Sequence, residues 1–145
     1  MRIAFGTDER TPLTESLVRR LEDQGHDVVL LADGDEWPEV GAAVGAAVAA
    51  GRATRGVVCC TTGTGVSMAA NKVPGVRAAL CTDAATAAGA RRWNDANVLA
   101  FGLRLTTESL ATEMVDAFLS TPFDEAERAA VDRLEAAGTP QAAGR

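Results

Sequence analysis

The chain has no tyrosine, and aromatic residues make up 4% of its 145 positions. A surface that stacks nucleobases needs more rings than that. Lysine and arginine total 14 against 20 acidic residues, a formal net charge of −6, which argues against a phosphate-neutralising nucleic-acid face as well. The single histidine, His26, falls in a turn after a helix, and no His and Cys share metal-ligand spacing. Neither a metal nor any other cofactor is called for. Three cysteines, two of them adjacent, make no disulfide framework and suit a reducing compartment, so the cytoplasm is the expected location. No segment reaches the roughly 20 apolar residues of a membrane span. The N-terminus runs straight into a strand pattern, with no basic, apolar leader.

What is present is a globular composition, 47% apolar and 23% charged, on a chain long enough for one core between two helical layers. The organising stretch is Val57-Val58-Cys59-Cys60-Thr61-Thr62-Gly63-Thr64-Gly65-Val66-Ser67-Met68-Ala69-Ala70-Asn71-Lys72. It begins as an apolar strand, breaks into Thr and Gly, and resumes as an Ala-rich helix. Gly63 and Gly65 let the backbone approach a ligand closely. The helix that follows offers unpaired N–H groups and a positive dipole end to an anion or a developing oxyanion. Cys60 stands at the lip as a proton carrier, with the Thr62 hydroxyl two residues on. The segment is neither a P-loop, since Lys72 is too far from the glycines, nor a G-x-G-x-x-G fingerprint. Nucleotide binding is not supported.

The remaining chain alternates apolar strand runs with helical patterns. Strands are expected at 2–6, 27–31, 56–60, 76–81 and 97–102, and helices at 12–24, 38–51, 83–92, 107–119 and 124–137. Thr11-Pro12 and Asp83 read as helix starts, and Gly25 and Pro122 as stops. The fold class is therefore α/β: a three-layer α/β/α sandwich around a five-stranded parallel sheet, Rossmann-like, in one domain over 1–137. Residues 138–145 read as a flexible tail. In such a sheet ligands bind past the strand C-termini, where Asp8, Cys60, Thr62 and Arg104 all fall. Trp93-Asn94-Asp95 instead precedes the fifth strand, at the opposite edge. If it serves the same site, it does so in a neighbouring subunit. The amphipathic last helix is expected to pack on that partner. Trp37 reads as a loop anchor or interface residue, and Cys59 and Cys81 as core residues.

With these segments in view, the chain resembles the type B ribose-5-phosphate isomerases and the related galactose-6-phosphate isomerase subunits. The cradle is similar to their C-G-T-G-x-G-x-S-x-A-A-N-K signature, followed by a V-P-G-x-R-A-A-L-C stretch; Asn94-Asp95-Ala96-Asn97-Val98-Leu99 and Gly102-Leu103-Arg104 also match. The resemblance implies a homodimer, or a tetramer, with active sites at the subunit interface. It implies an aldose–ketose isomerase that moves a proton between C1 and C2 of a small sugar phosphate through a cis-enediolate. Cys60 matches the family's base, a role that needs a thiol acidified by the helix N-terminus. Thr62, Gly63, Thr64, Gly65 and Ser67 match the groups around the enediolate oxygens. Asp8 matches a carboxylate for sugar hydroxyls or ring opening, Asn94 and Arg104 match pocket residues, and Arg128 matches the first of two phosphate-clamping arginines.

Departures accompany the match. Asp8-Glu9-Arg10 replaces the family's Asp-His, so Arg10 becomes a candidate phosphate contact. Trp93 replaces the histidine assigned to ring opening. Asp132 falls where the second arginine is expected, with Arg133 beside it, and Thr61 replaces a glycine of the cradle. The resemblance implies a substrate of the ribose 5-phosphate/ribulose 5-phosphate type; an indole cannot pass a proton to a ring oxygen, which leaves open a change to an acyclic or shorter sugar phosphate. The alternative is a member that has lost catalysis and acts as a binding or scaffold subunit.

Overall fold

The computed structural model describes residues 1–139. Five parallel strands run through its centre: β1 (Arg2–Thr7), β2 (Asp27–Asp33), β3 (Arg55–Cys60), β4 (Ala78–Leu80) and β5 (Val98–Gly102). Their spatial order is β2-β1-β3-β5-β4. Helices α1 (Pro12–Asp23), α2 (Trp37–Ala49), α3 (Thr64–Asn71), α4 (Ala84–Asn94) and α5 (Glu108–Ser120) cover the two faces. After a short 3-10 turn at Glu125–Glu127, α6 (Arg128–Gly138) ends the described chain. The expected α/β/α sandwich is thus observed.

Strand alternation sorts the core into two apolar layers. Ile3, Phe5, Val57, Cys59, Leu99 and Phe101 point to α1, α4 and α5, where Leu21, Met114 and Phe118 meet them. Ala4, Val58, Cys60, Val98 and Ala100 point the other way, onto Val40, Val44 and Val66 of α2 and α3. The second layer is thin because its helices touch almost backbone to backbone: a Cβ at Gly41 would stand 2.5 Å from the Ala69 methyl. Because successive strand residues face opposite layers, the two adjacent cysteines part company. Cys59 is sealed in one layer and Cys60 ends β3 in the other, beneath the start of α3.

Several boundaries differ from the sequence expectation, each for a local reason. β4 is only three residues long because the Arg77 N–H goes to the Asn97 side chain at 2.8 Å rather than into a strand ladder. β2 continues to Asp33, with a register shift opposite Phe5 and Thr7, where Ala32 takes a left-handed φ of 54°. α4 continues through Trp93 and Asn94 and stops at Asp95, which caps it with φ 47°. α6 takes in Gly138, the first residue of the expected tail, and residues 140–145 of that tail lie outside the described part. This last helix is held to its own chain by buried Val131 and an Arg77–Glu135 ion pair, while Leu134 is 55% exposed. Thr11 and Asp83 cap their helices as expected, accepting from Thr14 N–H and Thr86 N–H.

Candidate active site

The chain leaves β1 outward to β2 and returns to β3 on the other side of β1, so the crevice opens between the C-terminal ends of β1 and β3. Two loops meet there. Thr7 is buried and knots the first: its hydroxyl donates to the Glu9 carbonyl at 2.7 Å, and the Glu9 N–H returns to it at 3.2 Å. Asp8, between them, gives its N–H to the Cys59 carbonyl at 3.4 Å. One carboxyl oxygen of Asp8 is buried with no hydrogen-bond partner. Burial and the neighbouring Glu9 push its pKa up from the ordinary carboxylate value. An unpaired buried oxygen beside a crevice is costly for folding and is characteristic of a working site.

The second loop follows Cys60. Gly63 takes φ 78°, and a Cβ there would stand 2.6 Å from the Phe101 carbonyl carbon, so only glycine fits. This turn aims the Gly63 N–H back at the Cys60 sulfur, 3.2 Å away. Cys60 is 4% exposed, so it lies under the amide rather than open at the lip as expected from the sequence. The reason is strand geometry: the last residue of β3 faces the α2 and α3 layer. The hydroxyls of Thr62 and Thr64 are exposed and hydrogen-bonded to each other at 2.7 Å. Ser67 follows one turn along α3, with its N–H on the Gly63 carbonyl at 3.2 Å. Arg104 is exposed and enters through backbone bonding, its N–H on the Thr61 carbonyl at 3.0 Å and that of Leu103 on the Cys60 carbonyl at 2.8 Å.

Burial drives the Cys59 thiol up to about 12 and that of Cys81 up to about 11, so both stay protonated bystanders. One residue was underrated by sequence reasoning. The Trp37 ring lies over Gly65, where a Cβ would come within 2.8 Å of it, so Trp37 walls the cradle while remaining 44% exposed. The available signal was a tryptophan directly before the helix-opening Pro38 in a chain with so few rings.

The other expected site residues do not join this group within one chain. Arg10 pairs with Asp33 outside the cradle. Trp93 is 53% exposed, seated on Gly89 one turn earlier, and borders a cavity of about 500 Å³ that also includes Leu80, Cys81 and Asn94. Arg128 lies beside Asp95, before the start of β5. Cys60 pairs in register with Gly102 at the far end of that strand, about 13 Å from its first residue by strand rise. Cys60 lines neither the cavity beside Trp93, nor that formed by Lys72, Arg77 and Leu134, nor that formed by Phe5, Arg10 and Asp33. Among the described residues no group of three or more His, Cys, Asp or Glu could hold a metal ion. No helix of the described chain is long and apolar enough to cross a membrane.

The family model for Ribose/Galactose Isomerase matches residues 3–135. The chain belongs to that family. The ribose-5-phosphate isomerase B of Escherichia coli (strain K12) is 37% identical over 128 residues, covering 85% of this chain and 86% of that protein. The D-erythrulose-4-phosphate isomerase of Pectobacterium atrosepticum is 40% identical over 88 residues, 61% of this chain and 58% of that protein. Among solved structures, Clostridium thermocellum ribose-5-phosphate isomerase B superposes with a TM-score of 0.90 at 35% identity, covering 94% of this chain and 97% of that one. The chain is a sugar-phosphate isomerase of this family, and the expected family and fold are both met.

Proposed function

We propose that this isomerase interconverts an aldose and a ketose phosphate by proton transfer, with Cys60 as the base. The observation that supports it best is the Gly63 N–H pointing at the Cys60 sulfur, at the N-terminus of α3. That donor suits negative charge on sulfur, and the thiolate is the form that can lift a proton from carbon. In this reading Cys60 removes the C2 proton of the aldose, the C–H electrons form the enediolate double bond, and the C1 carbonyl becomes an oxyanion. Thr62, Thr64 and the amides of Gly63 to Gly65 hold the two oxygens. The same proton returns to C1 while the O2 hydroxyl proton passes to O1 and the C2 carbonyl forms. Asp8, with its unpaired oxygen, binds a sugar hydroxyl, and Ser67, Asn94, Arg104 and Arg10 are further polar candidates around the substrate.

The cradle residues Thr62 and Thr64 are exposed in a single chain. Trp93, Asn94 and Arg128 of a second copy complete it in this proposal, making the working unit a dimer with α6 at or near the interface, in the cytoplasm. Arg128 then meets the phosphate. Trp93 stands where a ring-opening group would be needed and has no proton to give at neutral pH. The substrate is accordingly acyclic, and a tetrose 4-phosphate, which lacks the hydroxyl that closes a furanose, fits that requirement. The Pectobacterium relative is named for such a substrate and the Escherichia coli relative for a pentose.

Turnover of the aldoses erythrose 4-phosphate, which cannot close a furanose, and ribose 5-phosphate, which does, measured side by side, tests this. The tetrose should be preferred by at least about tenfold in kcat/KM, the size expected when one catalytic group is missing for the other substrate. Equal or better use of the pentose overturns the substrate assignment. Cys60→Ser should lower kcat about a thousandfold with the fold intact, in the range for loss of a general base. An unchanged rate overturns the mechanism.

A further inference from the structure

At the end of the sheet remote from the cradle, one carboxylate gathers three arginines. Asp95 follows the last residue of α4 in a left-handed conformation, φ 47° and ψ 40°, which a residue with a side chain seldom adopts. Its carboxylate accepts from Arg91 Nη1 at 2.9 Å and Arg77 Nη2 at 3.3 Å, and lies 3.6 Å from Arg128 Nη1. Its own carbonyl accepts from Arg77 Nε at 2.8 Å.

Two of the three arginines are committed to the fold. Arg91 is 3% exposed, donates also to the Ala96 carbonyl at 2.6 Å, and lies 5.9 Å from the Phe118 ring centre. Arg77 reaches Glu135 of α6 at 2.6 Å. Arg128 is the outermost. It stacks 4.4 Å from the Phe123 ring centre, and its Nε and Nη2 each meet Glu125 at 3.1 Å. The two acids that hold it are unlike. The Glu125 side chain is 75% exposed and can swing into water at little cost, whereas Asp95 is pinned by two arginines and by its own backbone.

We propose that Asp95 is a positioning residue for the isomerase. It fixes Arg128 by the Nη1 side, while Glu125 keeps the Nε/Nη2 edge occupied until the substrate's phosphate replaces it. That edge is the one a phosphate takes with two parallel hydrogen bonds. The proposal rests on the reading of Arg128 as the phosphate contact, and the test separates the two.

Steady-state kinetics on the full chain, with inorganic phosphate as competing inhibitor, supply the readout. Asp95→Asn keeps a residue that tolerates the left-handed backbone. It should raise KM about tenfold, weaken phosphate inhibition by the same factor, and lower kcat less than about threefold, as loss of one charge-assisted contact to a binding side chain predicts. In an Arg128→Ala background the same change should add nothing further. If Arg128→Ala leaves KM unaltered, the Arg128 assignment itself falls. If Arg128→Ala raises KM and Asp95→Asn does not, or if the two effects add, the positioning role falls while that assignment stands. Should Asp95→Asn fold poorly, Asp95→Gly removes the carboxylate and relaxes the backbone. A lowered melting temperature with unaltered KM and phosphate inhibition overturns the proposal.

Discussion

The two ends of the sheet are built by opposite means. At the C-terminal end the cradle is made of main chain: amides around Gly63, small side chains, and a sulfur held by one N–H. At the N-terminal end, Asp95, Arg77, Arg91 and Arg128 form a network of long charged side chains. Main-chain donors are preorganised and cannot turn away, which suits charge that appears briefly on a reacting oxygen. Long side chains can exchange partners, which suits a group that arrives and departs with each substrate. The first kind of site tolerates no added bulk; the second tolerates change until a pinned member is lost.

The comparison is broken most severely at Gly63. Gly63→Ala forces a side chain into a left-handed turn and against the backbone of Phe101 and Gly102. It should lower stability by about 3 kcal/mol in denaturant melts and abolish turnover. Normal activity would mean that the amide geometry at the sulfur is dispensable.

Trp93→His, on the exposed flank of α4, should act in the opposite direction. It restores a group that titrates near neutral pH. Its kcat/KM for a ring-closing pentose phosphate should rise about tenfold, within the range for a positioned acid or base. Erythrulose 4-phosphate should gain nothing. An equal gain for both substrates would remove ring opening as the explanation.

Asp8→Asn sharpens the comparison through pH. The folded state raises the Asp8 pKa, so it binds the proton more tightly than the unfolded chain does. That contribution favours folding below the ordinary carboxylate value of 3.8 and is lost as pH rises through the folded pKa. Asp8→Asn should therefore melt slightly higher than the parent near neutral pH, with the difference closing by about pH 4, while turnover falls. A lower melting temperature at neutral pH would show that the charged form is held by contacts rather than merely tolerated.

The smallest effect is expected at Glu125. Glu125→Gln breaks an exposed pair and should alter stability by less than about 0.5 kcal/mol while modestly tightening inhibition by inorganic phosphate. Weaker inhibition would make Glu125 part of the anion site rather than its placeholder.

Much of the cradle was legible in the linear sequence because its parts are contiguous. A strand ending at Cys60, a glycine turn and a helix opening at Thr64 need only local rules. Asp8 was placed by the same reasoning, since it follows the first strand. The positions of Cys60 and Trp37 were not legible. Whether a strand-end sulfur stands at a lip or lies under an amide depends on which layer it faces, and Trp37 meets Gly65 only because α2 packs across α3. Asp95 was named only as part of Trp93-Asn94-Asp95, and its place at the centre of three arginines was not legible for a related reason. Its neighbours Arg77 and Arg128 are far away in sequence, and its left-handed backbone has no signature in a residue that is not glycine.

The sequence by itself determined the alternation of strands and helices, the parallel sheet, the family and the identity of the cradle, because periodicity and short-range turn chemistry act within a few residues. Tertiary structure alone decided that Cys60 sits beneath the Gly63 amide, that Arg10 is taken up by Asp33, and that Arg128 is held beside Asp95. Those outcomes turn on which side chains of remote segments come within hydrogen-bonding or packing distance. That is a property of the packed layers, and no spacing along the chain contains it.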